Sequence, residues 1–180
     1  MNKKGSDGMK KSFAVLLTFV LLFAVAFSGC GNKEAVAIRP VLSAESAKPG
    51  DTVQVQVYID NAELFCSMDF YLSYDAQYVT FAGTKAESIT DLLNELTSGA
   101  DAAGNAFIKY TGLTLETLNL DDCLLFTATF TVREDAPAGE PFFGIAVGEY
   151  CKGDDASGTT YTNIVSDVVE GGVKLTVTAG

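Results

Sequence analysis

The sequence predicts an all-β fold, a jelly-roll-like β-sandwich with one short helix, preceded by an export signal. Three observations carry this. Beyond residue 36, apolar and polar residues alternate in most segments, the period at which successive strand side chains point to opposite faces. Clusters of Gly, Pro, Asp and Asn separate these segments at fairly regular spacing, as turns do. Ile89, Leu92, Leu93 and Leu96 recur at i, i+3, i+4, i+7, the spacing of one helix face. Strands that each bury one face are satisfied together by two sheets stacked about 10 Å apart.

The elements follow in order. Val36 to Leu42 reads as a first strand, and Pro49-Gly50 marks the turn after it. Val53, Val55, Val57 and Ile59 alternate with Gln54, Gln56 and Tyr58, and Asp60-Asn61 ends that strand. Phe65 to Phe81 comes next. Cys66, Met68, Phe70 and Leu72 share one parity; Ser67, Asp69, Tyr71 and Ser73 share the other. This strand has one oily face and one wet face, and the wet face carries a carboxylate beside a tyrosine. Tyr74-Asp75 begins a turn, Tyr78, Val79 and Phe81 resume an extended run, and Gly83 breaks it.

A helix is expected from Ser88 to Ser98, capped by Ser88 or Thr90, stopped by Gly99 and laid over an open sheet end. Asp101 to Asn105 is a hairpin turn. Ile108 and Tyr110 oppose Phe107, Lys109 and Thr111 in the next strand, and Thr114 to Asp122 reads as a loop. Leu124, Phe126, Ala128, Phe130 and Val132 alternate with Leu125, Thr127, Thr129 and Thr131; Phe143, Ile145 and Val147 form another inward set. Cys151 to Thr162 reads as a loop, and Val173, Leu175 and Val177 belong to the last strand. Eight or nine short strands result, with no internal repeat.

Composition narrows the function. Beyond Cys30 there are eight Lys+Arg and 22 Asp+Glu, a balance of −14. Such a surface repels nucleic acid, whose phosphates need Lys and Arg. There is no His and no Trp, so the commonest general base and zinc ligand are missing. No paired carboxylates stand in a glycosidase-like motif, and there is no phosphate loop and no catalytic triad. Asp121-Asp122 and Asp154-Asp155 offer oxygen ligands to calcium, but the pattern D-x-[DN]-x-[DN]-G is absent. Cys66, Cys123 and Cys151 allow one disulfide at most; Cys66 reads as a small buried hydrophobe, and a Cys123–Cys151 bridge stays open.

Ser67-Met68-Asp69-Phe70-Tyr71-Leu72-Ser73-Tyr74-Asp75 resembles the third strand of cohesin domains. Ala47 to Val53 is similar to that family's first turn. Phe126 to Val132 with Ala136 to Gly139 is similar to its sixth strand and the turn after it, and Glu170 to Leu175 resembles its closing strand. The match runs, with gaps, from Val36 to Val177. It implies a nine-stranded jelly roll, no catalysis and no cofactor. It also implies a partner, a dockerin borne by a secreted polysaccharide-degrading enzyme, with calcium carried by the dockerin. In cohesins an Asn-x-Asp on the third strand, with residues of the fifth and sixth strands and their loop, receives a dockerin helix. Asp69 stands at the Asp position and Ser67 at the Asn position. The resemblance places Tyr110, Gly112, Leu113 and Thr114 near the fifth strand and its loop, with Glu116 nearest to an acidic position. With Tyr71 from the wet face, these eight residues form the expected partner-binding set.

Two other readings share the fold. A carbohydrate-binding module would stack sugars on Tyr71, Tyr74, Tyr110 and Tyr161. A structural envelope lipoprotein would keep the sandwich without the partner.

The N-terminus addresses location. Met1 to Lys11 holds four Lys and one Asp, and Phe13 to Phe27 is fifteen residues without charge. This is short for a membrane span and suits an export signal. Phe27-Ser28-Gly29-Cys30 resembles a bacterial lipoprotein signal, with Phe where Leu is usual. The expected division is residues 1–30 as signal, 31–35 as tether and 36–180 as the sandwich, with a diacylglycerol on Cys30 anchoring it to the outer face of the cytoplasmic membrane or the cell surface. Five tether residues reach about 15 Å, which holds the domain against the membrane. Radiolabelled fatty acid is expected to co-migrate with the protein and to disappear from it in Cys30→Ala; label that persists in the variant refutes the anchor.

Overall fold

The computed structural model describes residues 34–154 and 160–179. The expected export signal, Cys30, the expected tether through Lys33 and Asp155 lie outside the described residues. The strands are β1 (Ala37–Leu42), β2 (Ser46–Ala47), β3 (Thr52–Asp60), β4 (Ala62–Tyr74), β5 (Val79–Ala86), β6 (Leu92–Ala100), β7 (Ala106–Leu120), β8 (Cys123–Val132), β9 (Phe142–Gly153), β10 (Tyr161–Asn163), β11 (Val169–Glu170), β12 (Gly172–Lys174) and β13 (Thr176–Val177). Eight of these have six residues or more.

They form two main sheets. One has the order β11-β1-β3-β8-β5 and the other β10-β9-β4-β7-β6, with β12 also paired to β9. The chain changes sheets between β3 and β4, β4 and β5, β5 and β6, β7 and β8, and β8 and β9. This is the jelly-roll sandwich that the alternation implies. Long neighbours run antiparallel, whereas β1 pairs β11 and β2 pairs β13 in parallel.

The core lies between the sheets and is built by parity. Val53, Val55, Val57 and Ile59 of β3 are at most 1% exposed. Phe126, Ala128, Phe130 and Val132 of β8 face them across one sheet, and Met68, Phe70 and Leu72 of β4 come from the other. Fully burying one such large side chain contributes about 1.5–3 kcal/mol. Tyr110 stacks on Phe70 at 5.1 Å between ring centroids and on Phe126 at 5.7 Å, so these rings stitch the two sheets together.

Three expectations are corrected. Residues 88–98 form no helix: Leu92–Ala100 is the edge strand β6, paired residue for residue with β7 from Leu92↔Thr114 to Ala100↔Ala106. The hairpin turn at Asp101–Asn105 needs a strand on each side, and closing that ladder outweighs the helical leucine spacing. The expected loop at Thr114 to Asp122 is mostly strand, since β7 runs to Leu120. Gly83, at φ 153°, does not end β5: it pairs with Thr129 just past a bulge at Ala82, and the strand runs on to Ala86. Cys66, Cys123 and Cys151 are free thiols, with Cys123 and Cys151 in different sheets.

The β9 flank of the six-stranded sheet is closed. β12 pairs its first residues and β10 its last. In the gap between them the Ile145 N–H donates to the Gly171 carbonyl, and the Val147 N–H donates to Glu170 Oε1 at 2.7 Å. Among the described residues the β6 flank has no neighbouring strand.

The Tyr110 and Tyr150 hydroxyls are buried without a hydrogen-bond partner among the described residues, and desolvation holds both phenols well above their usual pKa. Tyr110→Phe is therefore expected to leave stability unchanged or raise it by about 1 kcal/mol, whereas Phe70→Ala is expected to cost about 3–5 kcal/mol. Urea unfolding followed by circular dichroism reads both.

Candidate functional site

Strand β4 pairs with β7 on one side and β9 on the other, so its outward residues sit mid-sheet. Register then writes the outer face as rows. Leu93, Leu113, Ser67 and Cys151 lie across one row. Glu95, Thr111, Asp69 and Glu149 form the next, Thr97, Lys109, Tyr71 and Ala146 the third, and Gly99, Phe107, Ser73 and Gly144 the last.

Asp69 is outward, with a quarter of its side chain exposed (27%). Its Oδ2 accepts from Lys109 Nζ at 3.0 Å, and that ammonium lies 5.7 Å from the Tyr71 ring centroid. The hydrogen bond from Lys109 to Asp69 holds the Lys109 pKa above the usual lysine value. A raised folded-state value means that the bond's contribution is complete below the unfolded lysine pKa and fades only as pH climbs through the folded one. The pair is thus intact at neutral pH.

Asp69 Oδ1 is covered and accepts no hydrogen bond. It lies against Gly148, where a Cβ would collide with it. Gly148 is the extra residue of a β-bulge, because Asp69 pairs with Glu149 but Phe70 pairs with Val147. The same bulge turns Glu149 outward, where its Oε1 accepts from Ser67 Oγ at 3.1 Å.

The first row is apolar. Leu93 is 65% exposed and Leu113 49%. Beyond them β7 bulges: β4 advances from Phe65 to Ser67 while β7 advances from Leu113 to Leu118. Thr114 Oγ1 closes this bulge by donating to the Glu116 carbonyl at 2.6 Å, and Leu115 is thrust out to 85% exposure. A hollow of about 390 Å³ lies there, lined by Asp91, Leu92, Leu93, Leu115 and Glu116.

Of the eight expected partner-binding residues, Ser67, Asp69, Tyr71 and Leu113 share this outer face, and Glu116 is exposed at its end. Tyr110, Gly112 and Thr114 do not share it: they occupy the opposite parity of β7 and are buried against the core. Lys109, Thr111, Leu93, Leu115 and Gly148 belong to the face and were not expected there. The parity of Phe107, Lys109 and Thr111 is the signal that points to the first two. The tyrosine platform is also corrected, because Tyr74 and Tyr110 pack inward on Phe130 and Phe126 while Tyr71 meets Phe107 edge-on.

The loop carboxylates are engaged by the protein. Asp121 accepts from the Asn61 N–H, Asp122 pairs with Arg39, and Asp154 accepts from Thr162. Among the described residues, no three of His, Cys, Asp and Glu gather where they could hold a metal.

Comparison with known proteins gives the chain its kin. A search of curated protein sequences found no match. Solved structures share the fold. The seventh ScaB type I cohesin of Pseudobacteroides cellulosolvens is similar with TM-score 0.59 and 19% identity, over 79% of this chain and 93% of that one. A cohesin module from a family 33 glycoside hydrolase of Clostridium perfringens is similar with TM-score 0.57 and 10% identity, over 82% and 99%. The OlpA cohesin of Clostridium thermocellum, solved in a type I cohesin–dockerin complex, is similar with TM-score 0.53 and 19% identity, over 79% and 99%. The family model of the cohesin domain matches residues 40–171. That span takes in nearly the whole sandwich and both strands that carry Asp69 and Leu113, and on it the chain belongs to the cohesin domain family.

Proposed function

We propose that the outer face of the six-stranded sheet docks a helix of a dockerin-bearing protein, and that no reaction occurs on it. The observation that carries this is the pairing of an exposed leucine row with a fixed polar row on one flat sheet. Leu93, Leu113 and Leu115 supply apolar area of the kind that concentrates binding energy at an interface centre. The hollow beside them takes an apolar side chain of the partner. Asp69, already set by Lys109 and Gly148, accepts from a hydroxyl or backbone donor at the helix end. Its Oδ1 is covered against Gly148, so the partner's donor meets the part of the side chain that stays exposed. The OlpA relative supports the reading, since it was solved with a dockerin.

Location belongs to the same proposal: a lipid on Cys30 would keep the domain at the envelope and bring the enzyme that carries the dockerin to the membrane surface. Calcium enters only through the dockerin.

Calorimetric titration with a panel of dockerins tests the face. Asp69→Ala is expected to weaken binding by about 1–3 kcal/mol, and Leu113→Asp to remove it. Gly148→Ala is expected to weaken binding through Asp69, because its methyl displaces the carboxylate; it should add little on top of Asp69→Ala. Unchanged affinity in Asp69→Ala takes that carboxylate out of the site.

A further inference from the structure

A second candidate lies at the other end of the same sheet, four residues along β4 from Asp69, or about 13 Å. Here the β4–β5 turn and the β6–β7 hairpin tip wall a cleft of about 810 Å³, within the size range of small-ligand sites. Ser73, Asp75, Gln77, Asp101, Asn105 and Phe142 line it.

Phe142 is the informative residue. It is 52% exposed at the start of β9, yet its ring is seated. Gly144 and Gly172 are paired neighbours on β9 and β12. A Cβ on Gly144 would stand 2.7 Å from the ring, and one on Gly172 would collide with it. The ring therefore lies against backbone where side chains are missing, and the rest of its surface is left to solvent. A solvated sheet has no need of an exposed phenylalanine, nor of two glycines to seat it. A flat apolar plate held in one orientation is what the C–H face of a sugar ring stacks on.

The walls supply the polar half. Asp101 Oδ1 accepts from the Ala103 and Asn105 N–H groups, and its Oδ2 accepts from Asn105 Nδ2 at 2.8 Å. Gly104, at φ 88°, completes that tip. Asp75 Oδ1 accepts from the Gln77 N–H at 2.9 Å. These bonds fix the walls before any ligand arrives. Asp75 Oδ2, Asn105 Oδ1 and the Gln77 amide enter no hydrogen bond among the described residues and are of the type that bonds sugar hydroxyls. Two carboxylates and no cation line the cleft, which opposes anionic sugars.

We propose that this cleft binds one or two rings of a neutral polysaccharide, with Phe142 as the stacking plate and the two turns as hydrogen-bonding walls. The site is separate from the partner-docking rows, and it stands whether or not a dockerin binds there.

Affinity gel electrophoresis of the detergent-solubilised full chain tests it, with xyloglucan, arabinoxylan, galactomannan, mixed-linkage glucan and hydroxyethylcellulose as neutral probes and polygalacturonate as the anionic one. At least one neutral gel is expected to retard the wild type and polygalacturonate is not. Phe142→Ala is expected to weaken that retardation about tenfold or more, and Phe142→Trp to keep it. Circular dichroism matching the wild type separates lost binding from unfolding; if Phe142→Ala fails that control, Phe142→Leu replaces it. No retardation by any neutral polysaccharide, or equal retardation of wild type and the folded Phe142 variant, overturns the proposal.

Discussion

Strand β4 is hydrogen-bonded along both edges, and that double pairing fixes what the molecule presents. A slip of one residue would carry Met68, Phe70 and Leu72 into water and Ser67, Asp69 and Tyr71 into the core. With β7 and β9 locked on either side, such a slip would cost the ladder bonds and the aromatic stack of Phe70, Tyr110 and Phe126 together. The outer rows are therefore as firmly set as the core beneath them. A binding surface built on a sheet centre needs no ordering of its own backbone, which limits the entropy lost on association.

Much of this was legible in the sequence. The period-two runs of β3, β4 and β8 gave both the strands and the inward faces, because each has one wet side and one dry side. Asp69 could be placed outward by parity alone. Tyr110, Gly112 and Thr114 show how a motif match can override the same rule: aligned as partner residues, they sit on the inward parity that Ile108 and Tyr110 had already marked. The β6 helix failed for a related reason. Its leucines satisfy a 3.6-residue period locally, but the adjacent Asp101–Asn105 turn was already a hairpin signal, and a hairpin requires a strand before it. The bulges were not legible. Neither Gly148 beside Asp69 nor the excursion that lifts Leu115 has an alternation pattern to betray it, since a bulge is a break in the pattern.

Charge and polarity are divided along the sheet. The leucine row, the successive rows of Asp69 and Lys109, and the seated Phe142 follow one another along the strand direction. The sandwich carries a strongly acidic balance, yet the centre of this face holds a lysine neutralised by its neighbour. Desolvating a pair that is already hydrogen-bonded is less costly than desolvating two separate charges. This would suit the docking proposed for this face.

The two flanks of the six-stranded sheet are unequal. One is sealed by short strands and by the Glu170 carboxylate on the Val147 amide, and the other, β6, has no strand beside it among the described residues. Strand addition from molecule to molecule needs a donor edge and an acceptor edge on every copy to run on into a fibre. A sheet with a single free edge can join one other and then terminate, so among the described residues this asymmetry makes strand addition along the six-stranded sheet self-limiting.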